Sequence, residues 1–253
     1  MTTLALDLGN SALKYGVFGP TGLQENGVLA TPAQLAELWQ RTAPTWAILS
    51  SVADEAVAQP WLAQLAASDA LPRVLPFRPG FTPIVLHNAY ATPHTLGADR
   101  LAGAVGAAAL LPGRNTLVID AGTALKLDFI TADTTFRGGS IAPGLRLRLR
   151  ALHTFTGRLP LLELPDDDGA GVQLIGDATA SSILSGVVNG TVAEISGLVA
   201  EYRRRYPQLG VVLTGGDAPY LLPRLTPAIG SIFAVPELVL LGLDNILRYN
   251  VDR

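Results

Sequence analysis

The 253-residue chain has no cysteine. That excludes disulfide frameworks, thiolate zinc sites and cysteine nucleophiles together. Histidine is nearly absent as well, with only His87, His94 and His153 available to a histidine-built metal centre. Charged residues make up 15% of the chain and the formal net charge is −3, so no basic field draws it to nucleic acid or anionic lipid. Uninterrupted apolar runs stay below the roughly 18 residues that a membrane span needs. The opening MTTLALDLGN lacks the basic stretch and long apolar run of a signal peptide. The expectation is a cytoplasmic protein without nucleic-acid or membrane partners. Lysine is the last scarcity: the 18 basic residues are 16 Arg and only two Lys, Lys14 and Lys126.

What is present is an apolar content of 49%, enough for a sizeable core in one large or two small domains. Residues Thr3–Asp7 and Lys14–Phe18 flank a Gly-Asn-Ser turn and read as a β-hairpin, with a third strand near Leu23–Leu29. Thr31-Pro32 opens a helix through Arg41, Trp46–Ser50 is a buried strand, and Asp54–Ala67 is helical despite Pro60. Arg73–Phe77 is another strand, and Gly97–Leu111 has the spacing of a long buried helix. The pattern then restarts, with strands at Thr116–Asp120, Leu125–Ile130 and Phe136–Ile141 and a helix at Pro143–Leu152. The loop Asp166–Gly171 reads as a solvated turn more readily than as a metal site. Asp177–Tyr206 is one helix, or a helix broken near Gly186 and Gly190; Val211–Thr214 is a strand, and Pro236–Asn250 a closing helix.

The restart is an internal repeat. DLGNSALK at 7–14 matches DAGTALK at 120–126, each a strand ending in Asp-x-Gly-[Asn/Thr] before a turn into another strand. Such a tip suits phosphate: glycine admits the anion to the backbone, turn N–H groups and small polar side chains bind its oxygens, and the Asp holds a hydrated cation. One copy alone is also an ordinary turn; two copies suggest similar lobes gripping a nucleotide tail. Leu213-Thr214-Gly215-Gly216-Asp217 adds a strand ending in Gly-Gly, which either admits a nucleoside against bare backbone or is an ordinary strand-to-helix turn. Before the long helix stands TPHTLGADR at 92–100. There Asp99 beside Arg100 is either a base next to a cation or a first-turn Asp stabilised by the helix dipole.

Taken together, DLGNSALKYGVF at 7–18, PHTLGADR at 93–100, DAGTALKLD at 120–128, GGSIAPGL at 138–145, GDATASSILSGVVNG at 176–190 and LTGGDA at 213–218 resemble the type III pantothenate kinases, members of the acetate and sugar kinase/heat-shock-70/actin superfamily. The resemblance implies an α/β fold of two ribonuclease H-like lobes, actin-like, at 1–114 and 115–253, with the active site in the cleft between them and dimerisation through the second lobe. It implies ATP-dependent phosphorylation of pantothenate to 4′-phosphopantothenate, the first step of coenzyme A biosynthesis. It carries ATP binding to Asp7, Leu8, Gly9, Asn10, Ser11, Ala12, Leu13, Lys14 and Thr123, with Asp7 ordering Mg²⁺ through water. Asp99 becomes the general base. Tyr90, Gly97, Ala98, Asp99, Arg100 and Thr179 become the pantothenate site, and Asp120 a monovalent-cation site for K⁺ or NH₄⁺. A homodimer is implied, for which the closing helix and the Ala/Gly/Ser face of 177–197 offer apolar surface.

Two departures stand out. Leu125-Lys126 replace the threonines usual after Gly-Thr-Ala, and Thr92-Pro93 stand where Asn-Pro is common. Strand alternation puts Leu125, Leu127 and Phe129 on one face and Lys126 with Asp128 on the other. Lys126 then either pairs with Asp128 on a wet face or partly replaces the monovalent cation near Asp120.

Overall fold

The computed structural model describes residues 1–9, 12–51, 53–67, 70, 73–166 and 172–251. Asn10 and Ser11 of the first hairpin, and 167–171 of the acidic loop, lie outside the described residues.

The near-continuous apolar stretch Thr3–Leu8 forms β1, buried except around Asp7. A strand so enclosed belongs inside a sheet. It pairs with β2 (Leu13–Gly19) in antiparallel fashion and with β4 (Trp46–Ser51) in parallel fashion. With β3 (Gly22–Leu29) and β5 (Val74–Pro76) the sheet order is β3-β2-β1-β4-β5. Helices α1 (Pro32–Thr42) and α2 (Glu55–Ala67) bury Leu35, Leu38, Trp39, Trp61 and Leu65 in the same core as β1. Pro32 sits at the start of α1, where its missing N–H costs no bond, and the Gln34 side chain accepts the Thr31 N–H.

The second sheet contains β6 (His87–Asn88), β7 (Thr116–Ala121), β8 (Ala124–Thr131), β9 (Thr135–Pro143), β10 (Gly210–Thr214) and β11 (Phe233–Ala234), in the order β11-β10-β7-β8-β9-β6. Read from the other edge it repeats the first: β9-β8-β7-β10-β11 corresponds strand for strand to β3-β2-β1-β4-β5. The sequence repeat is therefore a repeat of topology, and the two Asp-x-Gly turns occupy equivalent hairpin tips.

Helix α3 (Ala98–Leu110) packs on α8 (Leu238–Val251), and glycine sets how close they come. A Cβ on Gly242 would lie 1.8 Å from the Ala102 carbonyl oxygen, and one on Gly106 would lie 2.5 Å from that of Leu238. Leu238, Leu243, Ile246 and Leu247 are fully buried, and Thr3 and Arg248 both bond the Asp244 carboxylate. The closing helix is thus largely core of the first unit, where free apolar surface was expected, and Val239, Leu241 and Tyr249 remain half-buried.

By packing, the chain divides into one unit of 1–113, 130–138 and 237–253 and another of 114–129 and 139–236. The break after 113 lies beside the expected one, whereas 130–138 and the closing helix group with the first unit.

In the second unit, β7 and β8 bury Leu117, Ile119, Leu125, Leu127 and Phe129 against α4 (Leu145–Thr154), α5 (Thr179–Leu184), α6 (Gly190–Arg205) and α7 (Ala218–Ile229). Between α5 and α6 the backbone widens into a π-helical turn, Ser185–Asn189, at the place where the second of the two readings put a break. The run Thr179–Arg205 is long and apolar enough to cross a membrane by length and composition. Its Ile183, Val187, Ile195 and Val199 belong to the core of this unit.

Candidate active site

The first hairpin places Asp7 at the end of β1, half-buried, opposite Lys14 on β2 and beside Ser50 on β4. Lys14 is exposed. The turn closes with the Gly9 N–H donating to the Ala12 carbonyl at 3.1 Å. Among the described residues a Cβ on Gly9 would meet only that carbonyl, at 3.7 Å. The bare Cα leaves the backbone open to an incoming group.

The start of α3 gathers most of the expected substrate residues within the first unit. Gly97 is the N-cap, and a Cβ there would lie 2.6 Å from Asp99 Oδ1; glycine lets that carboxylate fold back over the helix start. The Asp99 Oδ1 accepts the Arg100 N–H at 2.9 Å. Arg100 is 93% buried by its 7% exposure, and its guanidinium lies over the Tyr90 ring at 5.6 Å. The Tyr90 N–H donates to Asn88 Oδ1 at 3.0 Å. Its ring tilts toward Phe136 at 6.1 Å and rests on bare Gly138, whose added Cβ would fall 3.1 Å away. Asp99, Arg100, Tyr90 and Gly97 therefore form one polar cluster at a helix N-terminus, suited to an anionic or hydroxylated ligand. Asn88, Phe136 and Gly138 were missed as supports. Gly138 stood in the GGSIAPGL motif, but only the β6–β9 pairing brings it under Tyr90.

The second hairpin carries Asp120 at the end of β7 and closes with the Gly122 N–H donating to the Ala124 carbonyl at 3.2 Å. Its tip backs onto the start of α4: the Gly144 N–H donates to the Thr123 carbonyl at 3.0 Å, and a Gly144 Cβ would strike Gly122. Thr123 itself is exposed. Gly215, at φ +96°, runs so close to β7 that a Cβ would lie 2.3 Å from the Ala121 carbonyl oxygen and 2.6 Å from Asp120 Oδ1. Arg146 pairs with the buried Asp217 at the start of α7. The structure pairs the Lys126 ammonium with Asp120 Oδ2 at 2.7 Å. Asp128, on the same strand face, is 2% exposed, so the wet face considered for Lys126 does not exist.

Among the described residues no group of three or more His, Asp or Glu side chains is placed to hold a metal ion. Asp7, near the end of β1, suits a hydrated divalent cation, since it offers hard carboxylate oxygen. A monovalent cation at Asp120 does not fit the residues present, because that carboxylate already carries an ammonium. Two unit charges about 4 Å apart repel by about 4 kcal/mol at an effective dielectric constant of about 20.

Thr179, the last of the residues expected at the substrate site, begins α5 in the second unit. It lines an apolar groove with Leu152, Phe155, Leu159, Ile183 and Val187. Phe155, Leu174 and Ile175 are exposed nearby in the same unit.

The family model for type III pantothenate kinase matches residues 3–201. A type III pantothenate kinase from Cytophaga hutchinsonii is 38% identical over 248 residues, covering 98% of this chain and 99% of the relative. The chain belongs to the type III pantothenate kinase family. One from Bacteroides fragilis is also 38% identical, over 99% of both chains. Membership makes this a phosphotransferase that phosphorylates pantothenate at the expense of ATP, in coenzyme A biosynthesis. Among solved structures, a Campylobacter jejuni protein named for a Baf family transcriptional activator superposes with a TM-score of 0.63 at 19% identity, covering 99% of this chain and all of that one. A ROK hexokinase from Thermus thermophilus gives 0.54 at 16% identity, over 100% and 99%. These likenesses speak for the fold alone, the actin-like ATPase fold with its two ribonuclease H-like lobes.

Proposed function

We propose that Asp99 is the general base of the kinase and that Arg100 and Tyr90 hold pantothenate beside it. The observation that carries this reading is the cluster at the start of α3, where Gly97 lets the Asp99 carboxylate cover the helix N-terminus beside a buried guanidinium. Gly97 and Ala98 supply helix-start backbone to the same site. Phosphoryl transfer has a loose transition state, so positioning and charge neutralisation do most of the work. The primary hydroxyl oxygen of pantothenate bonds to the γ-phosphorus, the bond from that phosphorus to the bridging oxygen breaks, and ADP leaves with the electron pair. Asp99 takes the hydroxyl proton as the bond forms. Arg100 counters the charge of the pantothenate carboxylate or of the transferring group.

ATP phosphates are assigned to the backbone of the two hairpin tips, with Leu8, Gly9, Ala12, Leu13 and Lys14 on one and Thr123 on the other. Asp7 would hold Mg²⁺ through water, and the ion supplies charge neutralisation to the triphosphate. The lobes 1–114 and 115–253 are taken as the two topological repeats, with the closing helix returning to the first. A homodimer is assigned to the second unit through the groove that contains Thr179, with a second copy as the occupant. The exposed Phe155, Leu174 and Ile175 support this, because exposed apolar clusters mark contact surfaces. A soluble substrate pair and an ATP requirement place the enzyme in the cytoplasm.

The test is product analysis together with Arg100→Met. Wild type should convert ATP and pantothenate to ADP and 4′-phosphopantothenate in equal amounts. Arg100→Met should raise KM for pantothenate by about tenfold or more, with KM for ATP unchanged, as loss of a charge-assisted contact does. A variant with wild-type KM for pantothenate removes Arg100 from the substrate site.

A further inference from the structure

We infer that Lys126 is a built-in replacement for a monovalent cation at Asp120, so that this kinase turns over without added K⁺ or NH₄⁺. The inference rests on the second hairpin being a phosphate site, as proposed above. A carboxylate at the mouth of such a hairpin repels a polyphosphate unless a cation stands against it, and the ammonium of Lys126 stands there, 2.7 Å from Oδ2. The pair is mostly shielded from water, with side-chain exposures of 15% for Lys126 and 18% for Asp120. Solvent therefore screens the contact less than it would a surface ion pair.

The fold holds the lysine in this place. Leu125 and Leu127 are fixed in the core of the second unit, so strand alternation presents Lys126 to the opposite face. The other carboxylate oxygen, Oδ1, lies beside two glycines, where a Cβ added to Gly215 or Gly122 would stand 2.6 or 3.6 Å from it. The residue type fits as well. The chain uses 16 Arg and two Lys, and it places a Lys here, where a compact single charge resembles an alkali cation and a planar guanidinium does not.

The experiment uses the full chain, desalted into buffer free of K⁺ and NH₄⁺, with the Tris salt of ATP and ionic strength held constant by choline chloride. Formation of 4′-phosphopantothenate is followed against KCl for wild type and Lys126→Thr, and the melting temperature of each is followed over the same series. Wild-type turnover should change by less than about twofold and its melting temperature should track the choline control, since a ligand that does not bind confers no stabilisation. Lys126→Thr should lose about tenfold or more of its turnover without K⁺, recover with KCl, and melt higher in KCl than in choline. A wild type activated about tenfold by K⁺, or a Lys126→Thr protein fully active without it, overturns the inference while leaving the kinase reading intact. If Lys126→Thr does not fold, the wild-type K⁺ series decides by itself. If no 4′-phosphopantothenate forms in any salt, the kinase reading fails, and a K⁺-dependent rise in wild-type melting temperature still counts against the inference.

Discussion

The hairpins at 7–14 and 120–126 begin from nearly the same local sequence and occupy equivalent positions in two sheets of equivalent strand order. Their electrostatics differ. In the first, the lysine stands seven positions after the aspartate, directly opposite it across the ladder, and is exposed. In the second it stands six positions after, and its ammonium lies on the carboxylate at 2.7 Å. The tip glycines are alike, since among the described residues an added Cβ would meet nothing closer than 3.7 Å at Gly9 and 3.6 Å at Gly122; what the second tip adds is Gly215 beside it, closed in at 2.3 and 2.6 Å. Repetition of the motif thus fixes where an Asp-x-Gly tip sits, while the neighbouring strands decide how its carboxylate is neutralised.

The sharpest way to break this comparison is to neutralise each aspartate. Asp7→Asn should cut turnover by about 10² and raise the half-saturating Mg²⁺ concentration about tenfold, with the melting temperature little changed. Asp120→Asn should act chiefly on stability, because it takes the charge of the carboxylate away from a partly buried ammonium; a cost of about 1–3 kcal/mol lowers the melting temperature by about 2–10 °C. Equal Mg²⁺ responses in the two variants would show that the hairpins are interchangeable. Next in size is the pair of glycine substitutions. Gly215→Ala faces a left-handed backbone and a backbone clash, costing about 1–3 kcal/mol, and calorimetry should show the loss. Gly9→Ala should keep the wild-type melting temperature and weaken ATP binding, measured by titration calorimetry, by about tenfold, since the new methyl group stands where phosphate approaches backbone.

The smallest effect is expected on the outer strands of the first sheet. Arg41 donates to both Glu25 oxygens, at 2.8 and 2.6 Å, and Tyr15 donates to one at 2.8 Å. The Arg41 bonds first, and then that of Tyr15, hold the Glu25 carboxyl at about 2. A depressed folded value means that the contribution is present above the ordinary carboxyl value of 4.5 and is lost as pH falls from there through about 2. Both partners are well exposed, so Arg41→Ala should lower the melting temperature by less than about 2 °C at pH 7, and by still less at pH 3.

Much of this was legible in the chain. Both hairpins and helices α1 and α3 follow from local apolar periodicity and turn residues, which need no knowledge of distant contacts. Spacing, by contrast, left Asp99 open between a base and a first-turn Asp, and only the family resemblance made it the base. Helix α7 was not foreseen, because Pro219, Pro223 and Pro227 recur every fourth residue. They lie on its exposed face while Leu221, Leu225 and Ile229 are buried at helical spacing. The closing helix was read correctly as a helix but wrongly as a free surface; glycine-to-backbone contacts between residues 102 and 242 are invisible to periodicity. The supports of Tyr90 depend on a two-residue strand pairing across about fifty positions of chain, beyond any local signal. The partner of Lys126 was left between two aspartates, since alternation assigns a face and not a neighbour.

The central claim, that the proton is taken at the start of α3 and at neither hairpin, is tested most directly by Asp99→Asn. Its turnover is measured alongside its affinity for ATP. The account predicts a fall of about 10²–10⁴ in kcat, the range expected for losing a general base, with the Kd for ATP within about twofold of wild type. An Asp99→Asn enzyme with wild-type turnover would contradict it.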